Sequence, residues 1–95
     1  MFEIKRDGTA GTVFLSGRFD ASQSENAREV FNEINQTTEV DFENLEYISS
    51  AGLSVLLMTQ KRLDESGNQL ILKNMSKHVR EIFNYAGFDI IFKIE

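Results

Sequence analysis

Apolar and polar side chains alternate along the opening residues, Phe2 and Ile4 against Glu3 and Lys5, and a second apolar run, Val13-Phe14-Leu15, follows Asp7-Gly8 and Gly11. A period of two with turn-forming residues between the runs predicts two strands joined by a loop. The period then changes. Ser22-Gln23-Ser24-Glu25 has the spacing of a capping box, and Ala27, Val30, Phe31 and Ile34 follow at i, i+3, i+4 and i+7, the buried stripe of a helix. Val40 and Phe42 flank Asp41 in a short third strand. From Ser50 onward Leu53, Leu56, Leu57, Gln60 and Leu63 mark a second helix, with Val55 and Met58 widening its apolar face. Gly67 is placed to end it in the left-handed conformation, with Lys61 and Arg62 near its negative pole. Leu70-Ile71-Leu72 is an unbroken apolar run that suits a strand covered on both faces. Ser76 is positioned to cap a third helix carrying Val79, Ile82, Phe83 and Ala86 before Gly87, and Phe88, Ile90, Ile91 and Phe92 predict a last short strand. On this phasing Phe2, Phe14, Phe31, Phe42, Phe83, Phe88 and Phe92 are expected in the core.

Strands and helices that alternate in this order belong to the α/β class. They predict a central mixed, mostly parallel sheet of about five strands, with three or four helices packed on it through right-handed crossovers. At 95 residues the chain suits one domain over 1–95, burying roughly 60–65% of its unfolded surface. There is no Pro-rich linker, repeat or low-complexity tract to suggest a second module.

Composition narrows the chemistry. Without Cys there is no disulfide framework or thiolate metal site, which fits a reducing cytoplasm. No apolar run approaches the ~20 residues of a membrane span, and Met1-Phe2-Glu3-Ile4-Lys5-Arg6 lacks the pattern of a signal peptide, so a soluble, unprocessed cytoplasmic protein is expected. A net charge of −5 disfavours nucleic acid and anionic membrane as partners and favours a protein. The single histidine, His78, lies on a predicted helix and reads as a solvated residue. A hydrolase built on Ser50 would need that His beside it, and no Gly-x-Ser-x-Gly elbow surrounds the serine. One His and no Cys leave a metal centre without its usual ligands, and the glycines form neither a Walker-type nor a dinucleotide-binding loop. No cofactor is expected.

What stands out is the junction Tyr47-Ile48-Ser49-Ser50-Ala51-Gly52-Leu53, where a serine pair and a glycine join an apolar strand to an apolar helix. The first N–H groups of a helix have no partner inside it, so a hydroxyl there caps them and a phosphate there meets free donors. Ser50 reads as an N-cap or as such a phosphate acceptor. Ser49 reads as a neighbouring cap, Gly52 as close helix-to-sheet packing or as a device that keeps the surface low around Ser50. Asp20, at the end of the second strand, reads as a helix-entry residue or as part of the same edge.

Together with Gly17-Arg18-Phe19-Asp20 and Val40-Asp41-Phe42, this junction resembles the STAS domain of bacterial anti-sigma-factor antagonists over nearly the full length. Family members commonly carry Asp-Ser-Ser/Thr-Gly-Leu at the strand-to-helix junction, and the serine two residues before the glycine is the phosphorylated one. That residue corresponds to Ser50. Two positions depart from the pattern: Ser49 stands where Asp is common, and Ala51 where a second Ser or Thr is common. The resemblance implies a monomeric partner switch, not an enzyme. Unphosphorylated, the protein would bind an anti-sigma factor that is itself a serine kinase and so release the sigma factor; phosphorylation of Ser50 would break the complex and a serine phosphatase would restore it. Asp20, Ser49, Ser50, Ala51, Gly52 and Leu53 would form the partner-binding patch. The same fold also serves as a constitutive interaction subunit of transporter, including lipid-transport, or sensory complexes, and that reading stands beside the first.

Overall fold

The computed structural model describes residues 2–8 and 11–95. Among them the strands are β1 (Glu3–Arg6), β2 (Val13–Phe19), β3 (Thr38–Ile48), β4 (Leu70–Lys73) and β5 (Lys93–Ile94), and the α-helices are α1 (Ser24–Phe31), α2 (Ser50–Asp64) and α3 (Lys77–Tyr85). Short 3₁₀ turns, Ala21–Gln23 and Phe88–Ile90, precede α1 and β5. The strands lie side by side in chain order, β1 antiparallel to β2 and the rest parallel. This is the mixed α/β sheet expected from the sequence.

Because each parallel strand pairs with the next one in sequence, right-handed crossovers carry every helix to the same face. One continuous apolar cluster results, with Val13, Leu15, Phe19, Val40, Phe42, Leu70 and Leu72 of the sheet beneath Ala27, Phe31, Leu53, Leu56, Leu63, Val79 and Phe83 of the helices. A fully buried side chain of this size contributes about 1.5–3 kcal/mol. The polar groups inside it are satisfied. Gln60, buried on α2, accepts from the Leu70 amide at 2.8 Å and donates to Asp64 Oδ1 at 2.9 Å, tying α2 to β4. Arg62 donates through Nη2 to the Phe31 carbonyl (2.9 Å), an orphan acceptor at the end of α1, and through Nη1 to the Ile34 carbonyl (2.8 Å) in the turn that follows.

The opposite face of the sheet carries no helix, and several expectations fail there or at its ends. Phe14 points outward and is 44% exposed, so it is not core, and Ile71 is half-buried rather than covered on both faces. The capping box at Ser22 does not form: Asp20 caps the 3₁₀ turn and α1 starts one residue after Gln23, which makes no side-chain cap. The Ser22 hydroxyl is engaged instead as a donor to Asp20 Oδ1 at 2.6 Å. α1 also stops at Phe31, and Ile34 reaches the core from the following turn. Ala86 lies just past α3 and is exposed. The last strand is Lys93–Ile94 only, because Phe88–Ile90 coil into a 3₁₀ turn that leaves Ile90 87% exposed.

Strand β3 is far longer than Val40–Phe42. Its register against β2 slips twice, between Phe14↔Asp41 and Ser16↔Asn44, and between Gly17↔Leu45 and Arg18↔Tyr47. Each slip is a bulge that adds a residue to β3 and reverses which parity faces the core. The buried positions therefore run Phe42, Leu45, Ile48. The other ends behave as expected: Ser76 accepts from the Val79 amide at 3.2 Å to cap α3, and Gly67 takes φ +77° just beyond α2. His78 is exposed.

Candidate partner-binding site

The second bulge brings Ile48 level with Phe19, so β2 and β3 end together at the carboxyl edge of the sheet. There the Ser49 amide donates to the Phe19 carbonyl at 2.9 Å, the last rung of the ladder. Ser49 keeps extended backbone (φ −86°, ψ 170°), and the helix begins at the next residue. Its hydroxyl oxygen accepts from the Gly52 amide at 3.1 Å and its carbonyl accepts from the Leu53 amide at 2.9 Å. Ser49 is thus the N-cap. The expectation that Ser50 could serve as the cap is corrected by one residue: Ser50 occupies the first turn proper, is exposed, and no group among the described residues hydrogen-bonds its hydroxyl.

A single linking residue between β3 and α2 presses the helix start onto the sheet. A Cβ on Gly52 would sit 2.9 Å from Ile48 Cγ1 and 3.1 Å from the Phe19 ring. Phe19 has little room to yield, being fully buried and stacked on Phe2 with centroids 4.6 Å apart. Glycine at this position is a packing requirement. Gly52 and Leu53 are both buried, so they form the floor of the junction, while Ser50 is exposed and Asp20, Ser49 and Ala51 are half-buried around it.

Asp20 follows Phe19 at the same edge. Its Oδ1 accepts from the Ser22 amide (3.1 Å) and the Ser22 hydroxyl (2.6 Å), so that oxygen orders the turn into α1 and does not engage Ser50. Beside this edge the Arg18 guanidinium lies 4.5 Å from the centre of the Tyr47 ring. Sequence reasoning missed two further features. Met58 is 61% exposed and not part of the apolar face, and with Ser50 and Ser54 it forms an outward stripe at i, i+4, i+8 along α2. The signal was present in the helical period, read on its polar side. Among the described residues no group of three or more His, Cys, Asp or Glu could hold a metal ion, and no helix is long and apolar enough to cross a membrane.

The family model described as "Mlab, STAS domain" matches residues 2–94. The candidate anti-sigma factor antagonist BtrV of Bordetella bronchiseptica is 44% identical over 55 residues, a stretch that spans 58% of this chain and 47% of BtrV. A STAS-domain containing protein of Pseudomonas aeruginosa is 31% identical over 91 residues, 93% of this chain and 90% of that one. Among solved structures, the anti-sigma factor antagonist SpoIIAA in its unphosphorylated form superposes with a TM-score of 0.77 at 23% identity, covering 100% of this chain and 88% of SpoIIAA. The Bacillus SpoIIAA in its phosphorylated form gives 0.71 at 22% identity, with 100% and 91% covered. At these identities the structural likeness establishes the fold.

Proposed function

The chain belongs to the STAS domain family, and from that premise we propose that it is an anti-sigma factor antagonist switched by phosphorylation of Ser50. In the unphosphorylated form the carboxyl edge around Ser50, bounded by Asp20, Ser49 and Ala51 over the floor of Gly52 and Leu53, docks on an anti-sigma factor serine kinase and frees the sigma factor. The kinase transfers the γ-phosphoryl of its ATP to the Ser50 oxygen, releasing ADP and the hydroxyl proton. A serine phosphatase hydrolyses the ester and resets the switch. The protein is substrate and ligand, not catalyst, and acts in the cytoplasm with its partners.

The observation that carries this reading is the division of labour between adjacent serines: Ser49 caps α2, and the exposed Ser50 hydroxyl has no partner among the described residues. A phosphoserine adds roughly −1.5 to −2 charges and bulk to the contact surface. At the positive end of α2 the fold tolerates that charge, so binding is lost without unfolding. The anti-sigma factor antagonist names of BtrV and SpoIIAA support the assignment. In calorimetry with the cognate kinase, Ser50→Ala should retain binding and Ser50→Asp should weaken it. Equal affinity for wild type and Ser50→Asp would remove charge at this position as the switch.

A second reading, a constitutive STAS subunit of a lipid-transport complex, rests on the same family membership. It predicts stable co-purification with membrane transporter subunits and no phosphate on the protein.

A further inference from the structure

We infer that the groove between α1 and α2 receives an acidic side chain of the protein that binds the Ser50 face, read by Arg28 and Asn32. The groove has a volume of about 200 Å³ and is lined by Arg28, Asn32, Val55, Met58, Thr59 and Arg62. Two guanidinium groups and no carboxylate line it, on a chain whose net charge is −5. The recess is therefore basic on a chain that is acidic as a whole.

The lining residues divide by their other commitments. Arg62 is held by the Phe31 carbonyl at the end of α1 and the Ile34 carbonyl in the turn after it, so it supplies fixed positive charge at one end of the groove. Thr59 donates its hydroxyl back to the Val55 carbonyl at 2.8 Å. Arg28, in contrast, meets Glu25 at 4.0 Å, with side-chain exposures of 48% and 90%. An ion pair that long and that solvated holds an arginine loosely. The Asn32 side chain has no hydrogen-bond partner among the described residues. A guanidinium fork and a free amide on one wall are the donors a carboxylate requires. Buried Val55 beneath them and exposed Met58 at the rim supply an apolar bed for methylene groups.

Size and position select the occupant. Pockets for drug-sized ligands usually run ~300–1,000 Å³, so this recess suits a single glutamate-sized side chain. Met58 ends the outward stripe that begins at Ser50, about 12 Å away along the helix axis, so a partner seated on Ser50 passes over the groove. A basic recess on an acidic chain helps to fix the register of such a partner. The choice of a protein as occupant rests on the reading of the Ser50 face as a docking surface; the carboxylate chemistry does not.

The test uses the full ¹⁵N-labelled chain and three probes at millimolar concentration: acetyl-Ala-Leu-Glu-Leu-Ala-amide, its Gln counterpart, and free glutarate. The Glu peptide should shift the amides of Arg28, Asn32, Met58 and Thr59, with the Gln peptide at least tenfold weaker, and Arg28→Gln should weaken the Glu peptide at least tenfold at an unchanged melting temperature. Equal shifts from both peptides, or wild-type binding by Arg28→Gln, would overturn the inference. Binding of glutarate without binding of the Glu peptide would also overturn it, in favour of a small organic acid. Phosphorylation of the same sample by the cognate kinase separates the two proposals: no Glu-peptide binding with Ser50 still modified defeats the groove alone, whereas binding without modification defeats the switch alone.

Discussion

Helices α2 and α3 start with the same cap and differ in everything around it. Ser49 accepts from the amide of Gly52 at 3.1 Å and Ser76 from that of Val79 at 3.2 Å. Both receiving residues are buried. At α3 the receiving position holds the β-branched, fully buried Val79, and residues 74–76 intervene between β4 and α3. At α2 only Ser49 separates strand from helix, and the approach leaves no room for a Cβ. The residue after each cap differs as well: Lys77 at α3, and at α2 an exposed serine whose hydroxyl bonds to nothing among the described residues. Capping accounts for one serine at each helix start. The second serine at α2 has no capping role among the described residues, which is what the proposed switch requires.

The strongest way to break the comparison is to give α2 the residue α3 has. Gly52→Val forces branched carbons against Ile48 and Phe19 and should cost about 3 kcal/mol, while the corresponding position in α3 already holds Val79 without strain. At ~4–8 °C per kcal/mol for a domain of this size, the melting temperature should fall by more than 10 °C. A fall of less than 3 °C would mean that the junction yields and that glycine is not a packing requirement.

A smaller effect sharpens the equivalence of the two caps. Ser49→Ala and Ser76→Ala should each lose about 1 kcal/mol in urea denaturation, whereas Ser50→Ala, which deletes no hydrogen bond among the described residues, should stay within about 0.5 kcal/mol of wild type. If Ser50→Ala proved the costlier of the adjacent pair, the cap would have been assigned to the wrong serine.

These contrasts show what the sequence could and could not convey. The helix positions at Leu53, Leu56 and Leu63, and the cap at Ser76, were legible because period and cap chemistry are local. The position of the α2 cap was not, since two adjacent serines satisfy the same pattern and only the rung from Ser49 to Phe19 decides between them. Most of β3 was hidden for a related reason: its two bulges space the buried residues Phe42, Leu45 and Ile48 by three, which breaks the alternation that marks a strand. Phe14 and Ile71 were misplaced because apolar content does not reveal that one face of a mostly parallel sheet is left open. Asp20 was placed at the right edge, but its bond to Ser22 depends on a 3₁₀ turn that the pattern does not announce.

The smallest expected change concerns Asp20. Asparagine caps as well as aspartate, so Asp20→Asn should leave stability within about 0.5 kcal/mol while slowing phosphorylation or altering kinase affinity through the lost charge. Unchanged kinetics would remove Asp20 from the site and confine it to the start of α2.

The central claim is that Ser50, and not its capping neighbour, is the modified residue. Incubation of the protein with its cognate kinase and ATP, followed by fragmentation mass spectrometry, should find one phosphate, on Ser50, and none on the Ser50→Ala variant. Exclusive modification of Ser49 or Ser54 would contradict the account.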